Sequence, residues 1–372
     1  MHISFVQNTF SAEEEDDGAV IKAIIEQSLK ADELGFSAIM FPEKHFSGYM
    51  PNCADPLMTA AYLLPQIKQA VLGFCILAPN YFHPANVVEK INLLDHYAKG
   101  KLLIGHGSGF EIEAMLGFGI GFEDNMKSGF AEFTEVADRL WDKRLEDPPV
   151  EIDMKYHKGT IMERIVPRQY SEPRPRLAGV AVREQSIVRA AERGWPVFCP
   201  IIDDGFDAFR KRMQLYRQEL AAAGHSPEVI ADCLEWTALN VNAVTVCETD
   251  EEAEAQMRED WTSHLDLMDR LERRTRIRAR EIDGVGGEFK PFATDREESL
   301  RTRCLYGSPE TVASKIEAWA ETGVGNVLMS FNVGAYSPER RVKQERSMDL
   351  FAAEVLPRVR EIPVADLSVP TA

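Results

Sequence analysis

The chain has 372 residues, 45% of them hydrophobic, and a formal net charge of -18 at pH 7. That acidity argues against a nucleic-acid partner, whose binding rests on neutralising phosphates. No apolar run approaches the roughly 18 residues of a membrane span. The length allows one large α/β barrel or two ordinary domains. Cys53, Cys75, Cys199, Cys233, Cys247 and Cys304 are scattered without a CxxC pair. They read as reduced core thiols of a cytoplasmic protein, with no metal site expected. The amino terminus, Met1 to Val6, reads as a strand start and not as a signal peptide.

Ile3 to Val6 is the first expected strand. An acidic stretch, Glu13 to Asp17, precedes a helix from Ala19 to Leu34 with apolar residues near period 3.6 and Gly35 as its cap. Ser37 to Phe41 is the second strand. It runs into Pro42-Glu43-Lys44-His45-Phe46, a cluster of ionisable groups at a strand end. A helix over 55–67, a strand over Val71 to Leu77, a helix over 86–97 and a strand over Lys101 to Ile104 follow. Strand and helix in alternation, with short connections, mean parallel strands and crossover helices.

The fourth strand breaks into Gly105-His106-Gly107-Ser108-Gly109. Barrels of this class place ligands at the carboxyl ends of their strands, and glycines let backbone approach a flat or anionic ligand. Further on, 127–144 is an amphipathic helix and 150–170 is irregular, with a hairpin around Lys158-Gly159. Strands are expected over 177–182, 196–199, 238–247 and 326–331. Helices are expected over 184–193, 204–223, 250–281, 309–322 and 338–359. Eight strands with intervening helices give a single (β/α)8 barrel over residues 1–361. Residues 362–372 read as a frayed tail. The long loop over 282–303 reads as a lid, either ordered or disordered.

Glu43-Lys44-His45-Phe46, Ala60 to Leu64, His83-Pro84, Asn92 to Asp95, Lys99-Gly100-Lys101 and the Gly105–Gly109 run resemble the bacterial luciferase-like flavin monooxygenases. They stand in the family's order and spacing. Tyr306 to Glu310 and Leu350 to Pro357 are similar as well. The resemblance implies a TIM-like barrel that takes reduced FMN from a separate flavin reductase. With O2 it would form a flavin C4a-peroxide that oxygenates a small organic substrate such as an aldehyde, ketone or alkane. A sister branch uses deazaflavin F420 for hydride transfer, and related barrels hold flavin without catalysis.

His45, at a strand end, suits acid/base work near neutral pH. Luciferase α chains carry histidine where this chain has Lys44, which would instead supply positive charge at the site. Glu43 would pair with Lys44. Cys75-Ile76 falls where luciferases have a non-proline cis peptide under the flavin ring. His106, Gly107, Ser108 and Gly109 should line the flavin. Ser108 and Ser128 stand where the family has phosphate-binding arginines, so the phosphate charge must be met elsewhere. Val182-Arg183-Glu184-Gln185-Ser186, a strand end opening a helix, is the candidate, with Arg183 and Ser186 as donors. The arginines from Arg270 to Arg280 form a solvated face or contact a cofactor tail or reductase. The helices over 55–67 and 86–97 are apolar on more than one face. With the resemblance they imply a homodimer with a reciprocal His83–Glu89 contact.

Overall fold

The computed structural model describes residues 1–11, 16–49, 54–201, 205–241, 243–285 and 287–368. Twelve strands are β1 (His2–Val6), β2 (Ala38–Phe41), β3 (Val71–Leu77), β4 (Leu102–His106), β5 (Val150–Asp153), β6 (Lys158–Ile161), β7 (Leu177–Val180), β8 (Val197–Pro200), β9 (Ala238–Val241), β10 (Ala243–Val246), β11 (Cys304–Gly307) and β12 (Asn326–Met329). Between them run α1 (Asp17–Leu34), α2 (Pro56–Leu63), α3 (Pro84–Ala98), α4 (Ile112–Phe118), α5 (Phe122–Asp124), α6 (Phe130–Asp142) and α7 (Glu184–Glu192). The second half adds α8 (Gly205–Ala222), α9 (Pro227–Trp236), α10 (Asp250–Asp283), α11 (Arg296–Arg303), α12 (Pro309–Ala320), α13 (Pro338–Leu350) and α14 (Leu356–Arg360).

Strands β1, β2, β3, β4, β7, β8, β9 and β12 close a barrel in that order, and every pairing in it is parallel. The expected (β/α)8 architecture is therefore the observed one. Each barrel strand is buried on both faces, which is why it reads as a continuous apolar run. Alternate residues part the two faces. Leu103, Met40, Ala178, Phe198 and Leu328 form an inner cluster. Leu102, Ile104, Phe41 and Leu177 belong to the larger layer between strands and helices. The lumen is filled, not hollow: a Cβ on Gly105 would run into the Phe198 ring.

Buried polar groups fix the loops between these layers. Asp32, 1% exposed, accepts from the backbone N–H groups of Lys68 (2.8 Å), Gln69 (3.0 Å) and Ala70 (2.8 Å). That carboxylate ties the end of α1 to the start of β3. Asp95 on α3 accepts from the Ser171 N–H (2.7 Å) and hydroxyl (2.8 Å). Gly35 caps α1 at φ 87°, as expected from its place after Leu34.

Four expectations need correction. The run over 238–247 is two strands, not one: β9 stays in the barrel, while β10 leaves it and pairs in parallel with β11. The hairpin turns over residues 154–157, because Lys158 and Gly159 are paired with Asp153 and Ile152 inside it. The long loop is shorter than expected, since α10 reaches Asp283 and α11 occupies Arg296–Arg303. Its Phe292 N–H is held by Asp269 (2.7 Å) and Arg296 bridges to Asp266, which pins the segment back onto α10. The tail is anchored: Ile362, Val364 and Leu367 pack on the core, and the Arg217 guanidinium donates to the carbonyls of Ala365 (3.2 Å) and Asp366. Residues 12–15, Cys53, Asn242, Gly286 and 369–372 lie outside the described residues. Among the described residues, no helix is long and apolar enough to cross a membrane.

Candidate flavin site at the strand ends

Two large openings exist. One of about 630 Å³ lies at the amino-terminal pole of the barrel and is lined by Met1, Glu235 and Arg360 among others. The other, about 520 Å³, lies at the carboxyl ends of β3, β4, β7, β8 and β9. Barrel enzymes work at the latter pole, and there the expected residues converge. Cys75, Ile76, His106, Gly107, Ser108, Gly109, Val182, Arg183 and Ser186 all line this cavity.

The local chemistry explains the shape. The Cys75–Ile76 peptide is cis. Asn240 from β9 donates to the Cys75 sulfur (3.7 Å), so these two polar groups form the floor above the filled lumen. Burial pushes the Cys75 thiol up to about 12, so it stays a neutral thiol at physiological pH. A Cβ on Gly107 would come 2.7 Å from Ile76 Cδ1, and one on Gly109 (φ 66°) would strike the Tyr81 hydroxyl. Only glycine keeps the wall open there. The Ser108 carbonyl accepts from the Asn80 and Asn125 amides at 3.1 and 2.9 Å, which holds the loop in place.

His106 is 5% exposed, flanked edge-on by Trp195 (4.7 Å between ring centres) and Phe130 (5.1 Å). Its Nδ1 lies 2.8 Å from the Ala178 carbonyl. A carbonyl can only accept, so Nδ1 carries the proton and Nε2 the lone pair. Nε2 has no partner among the described residues. Burial dominates and pushes the ring down to about 4, against the bond to Ala178.

At the other end, Arg183 is the N-cap of α7 and gives no side-chain cap. Arg183, Ser186 and Arg189 follow at intervals of three and share the face that lines the cavity. Neither arginine side chain has an ion pair among the described residues. Free helix N–H groups and two guanidiniums without an ion pair among the described residues give this end donors of the kind that suit an anion. Arg189 was not expected, although its place one turn beyond Ser186 marks it on the same face. Asn240 was readable as a lone polar residue in an apolar strand. Trp195 carries no sequence signal.

Three expected site residues lie elsewhere. Ser128 does not line the cavity: its hydroxyl donates to Glu132 (2.6 Å) one turn on, and Met126 and Phe130 of that segment face the cavity instead. His45 is 7% exposed and does not line it either. Its Nε2 lies 2.9 Å from Glu43, and Phe46, Tyr81, Phe82 and Phe118 surround the ring. Glu43 thus pairs with His45, not with Lys44, and its second oxygen accepts from the Ala78 N–H (2.6 Å). Lys44 stands at the rim, its ammonium 5.6 Å from the ring centre of cavity-lining Phe110. None of the described residues of 282–303 lines the cavity. Among the described residues no cluster of three or more His, Cys, Asp or Glu could hold a metal ion.

Fold and site together define a TIM-barrel protein with a cofactor-sized cavity across its strand ends. The family model for luciferase-like monooxygenases matches residues 1–326, and the chain belongs to that family. It is 21% identical over 351 residues to the alkanal monooxygenase alpha chain of Photorhabdus luminescens, covering 92% of each chain. Among solved structures it resembles the oxygenating constituent of 3,6-diketocamphane monooxygenase from Pseudomonas putida, a type II Baeyer-Villiger monooxygenase in complex with FMN (TM-score 0.75, 20% identity, 98% and 99% of the two chains). It also resembles an F420-dependent secondary alcohol dehydrogenase (TM-score 0.68, 14% identity, 97% and 99%).

Proposed function

We propose that this protein is a two-component monooxygenase: it takes reduced FMN from a separate flavin reductase and uses O2 to oxygenate a small organic substrate. The observation that carries this reading is the cavity itself. It joins a glycine-walled pocket on the barrel floor to an end that carries the Ser186 hydroxyl and two arginines, Arg183 and Arg189, without an ion pair among the described residues. A flat ring joined to a terminal phosphate fits both ends. Reduced flavin, when bound, supplies the electrons that activate O2. The chain's part is to hold it: Gly107 and Gly109 would admit the ring, Cys75 and Asn240 would line the floor beneath it, and Arg183, Ser186 and Arg189 along α7 would hold the phosphate. Lys44 sets its ammonium donors at the rim, where substrate must enter. His45, locked to Glu43, shapes the β2 loop that carries Lys44.

The test is an anaerobic titration. Reduced FMN should quench the fluorescence of Trp195, which lines the cavity, more tightly than oxidised FMN or reduced F420. Admitting ¹⁸O2 with an aldehyde or ketone present should then place one labelled oxygen in the carboxylic acid or ester formed, the other leaving as water. F420 binding without FMN binding would overturn the reading in favour of a hydride-transferring dehydrogenase. Flavin binding without any oxygen uptake across a substrate panel would mark a flavin-holding barrel.

We also propose a homodimer through α2 and α3. Met58, Tyr62, Leu93 and Tyr97 are exposed on these two helices, at 70, 61, 42 and 60%. An apolar patch of this kind on paired helices suits burial against a second copy. Light scattering at micromolar concentration should give twice the chain mass, and Met58→Glu with Tyr97→Glu should reduce it to the monomer. A native monomer mass would sink the proposal.

A further inference from the structure

Lys44 has a partner that no expectation assigned. Its Nζ lies 3.2 Å from Glu111 Oε1. The other carboxylate oxygen of Glu111 accepts from the Phe110 N–H at 3.1 Å. Glu111 is therefore clamped at both oxygens, and it sits directly after the glycine loop, ahead of α4. The ammonium also faces the rings of Tyr49 (5.9 Å) and Phe110 (5.6 Å). Both members of the pair are largely shielded, with side chains 22% and 11% exposed.

We propose that Glu111 is a positioning residue for Lys44, fixing its ammonium as a permanent cation against the Phe110 face at the cavity rim. An ammonium has three N–H donors, and Glu111 takes one of them. The pair as a unit is neutral. It presents N–H donors to the rim without net charge, which suits the carbonyl oxygen of an uncharged substrate and not a carboxylate or sulfonate. Without Glu111, a shielded lysine loses its proton readily. The charged neighbours act in the same sense. Burial pulls Lys44 down, but Glu111, Tyr49 and Glu113 together hold it above the ordinary lysine range. Burial raises Tyr49 and Glu113 themselves, and Glu111 is the carboxylate that bonds to the ammonium. From α10, Glu272 faces Glu113 and Arg274 approaches Gly48; neither bonds to Lys44.

This inference rests on the cofactor reading only for what the cation would act on. Its test needs no flavin, so the two can fail separately. The rate of Lys44 acetylation by an N-hydroxysuccinimide acetate ester is followed against pH by peptide mass spectrometry, on the whole protein. In the native chain Lys44 should stay unreactive to roughly pH 9. In Glu111→Gln it should react about tenfold faster near pH 8, a one-unit fall in its pKa. Glu111→Asp, which keeps the charge, should return most of the protection. Acceleration in Glu111→Gln that Glu111→Asp shows equally would report access and not charge, and would overturn the proposal. So would identical profiles for native and Glu111→Gln. Decanoate, added at neutral pH, should protect Lys44 more in Glu111→Gln than in the native chain. Protection no greater in the variant would overturn the neutral-rim assignment.

Discussion

Urea unfolding of this protein should become markedly easier between about pH 6.5 and pH 4, and two buried histidines should account for much of the loss. His106 and His264 are each pushed down to about 4, with burial the leading cause in both. His264 lies on α10 between Trp261 (5.0 Å), Phe10 (5.3 Å) and Phe292 (6.1 Å), and its Nδ1 has no partner among the described residues. In the unfolded chain both rings take a proton near pH 6.5. The unfolded state therefore binds more protons across this window, and stability falls as pH falls. Above pH 6.5 both rings are neutral in either state and the cost vanishes. Each ring contributes about 2–3 kcal/mol over the full window. Carboxylates add their own acid dependence, so the decisive measurement is a comparison. His106→Phe with His264→Phe should flatten the profile relative to the native chain. Equal losses in both would place the titration elsewhere.

The second large effect concerns the anion end of the cavity. Replacing Arg183 and Arg189 together by Ala should weaken reduced FMN by about 3–6 kcal/mol, at the usual 1.5–3 for each hydrogen bond to a charged group. Riboflavin, which lacks the phosphate, should lose little. The native preference for FMN over riboflavin should also shrink with added salt, because Arg183 is exposed and screened. Both single variants should fall between native and double. A double variant that loses FMN and riboflavin equally would show that the arginines shape the cavity without meeting a phosphate.

Much of this molecule was legible before any coordinates. All eight barrel strands stand at their expected places, because a parallel strand covered on both faces needs an unbroken apolar run. The same property hid a boundary. Ala238 to Val246 is mostly apolar, with Asn240, Asn242 and Thr245 interspersed, and hydrophobicity alone cannot show where such a run leaves one sheet for another. Helix α9 went unread although Ser226 caps it, accepting from Val229 N–H at 3.4 Å, with Pro227 in its first turn. It is short, and the strand signal after it is stronger. In the site, glycines were the readable part, since Gly107 and Gly109 are demanded by what surrounds them. Side-chain pairing was not. Glu43 is adjacent to Lys44 in sequence, yet turns to His45. Ser128 has an acceptor one turn on in Glu132, which takes its hydroxyl away from any ligand. Lys44 meets Glu111, a residue 67 positions away, and no local pattern encodes that.

The short parallel pair β10–β11 has a further consequence. Ala243 and Cys304 are paired neighbours, so the stretch from β10 through α10 to α11 begins and ends at nearly one point. Neither end belongs to the barrel's closed ring. The whole excursion is thus a graftable cassette. A chimera that exchanges it for a relative's equivalent, joined at that staple, should keep its barrel unaltered. The fold offers a natural cut site for exchanging this excursion without disturbing the barrel strands.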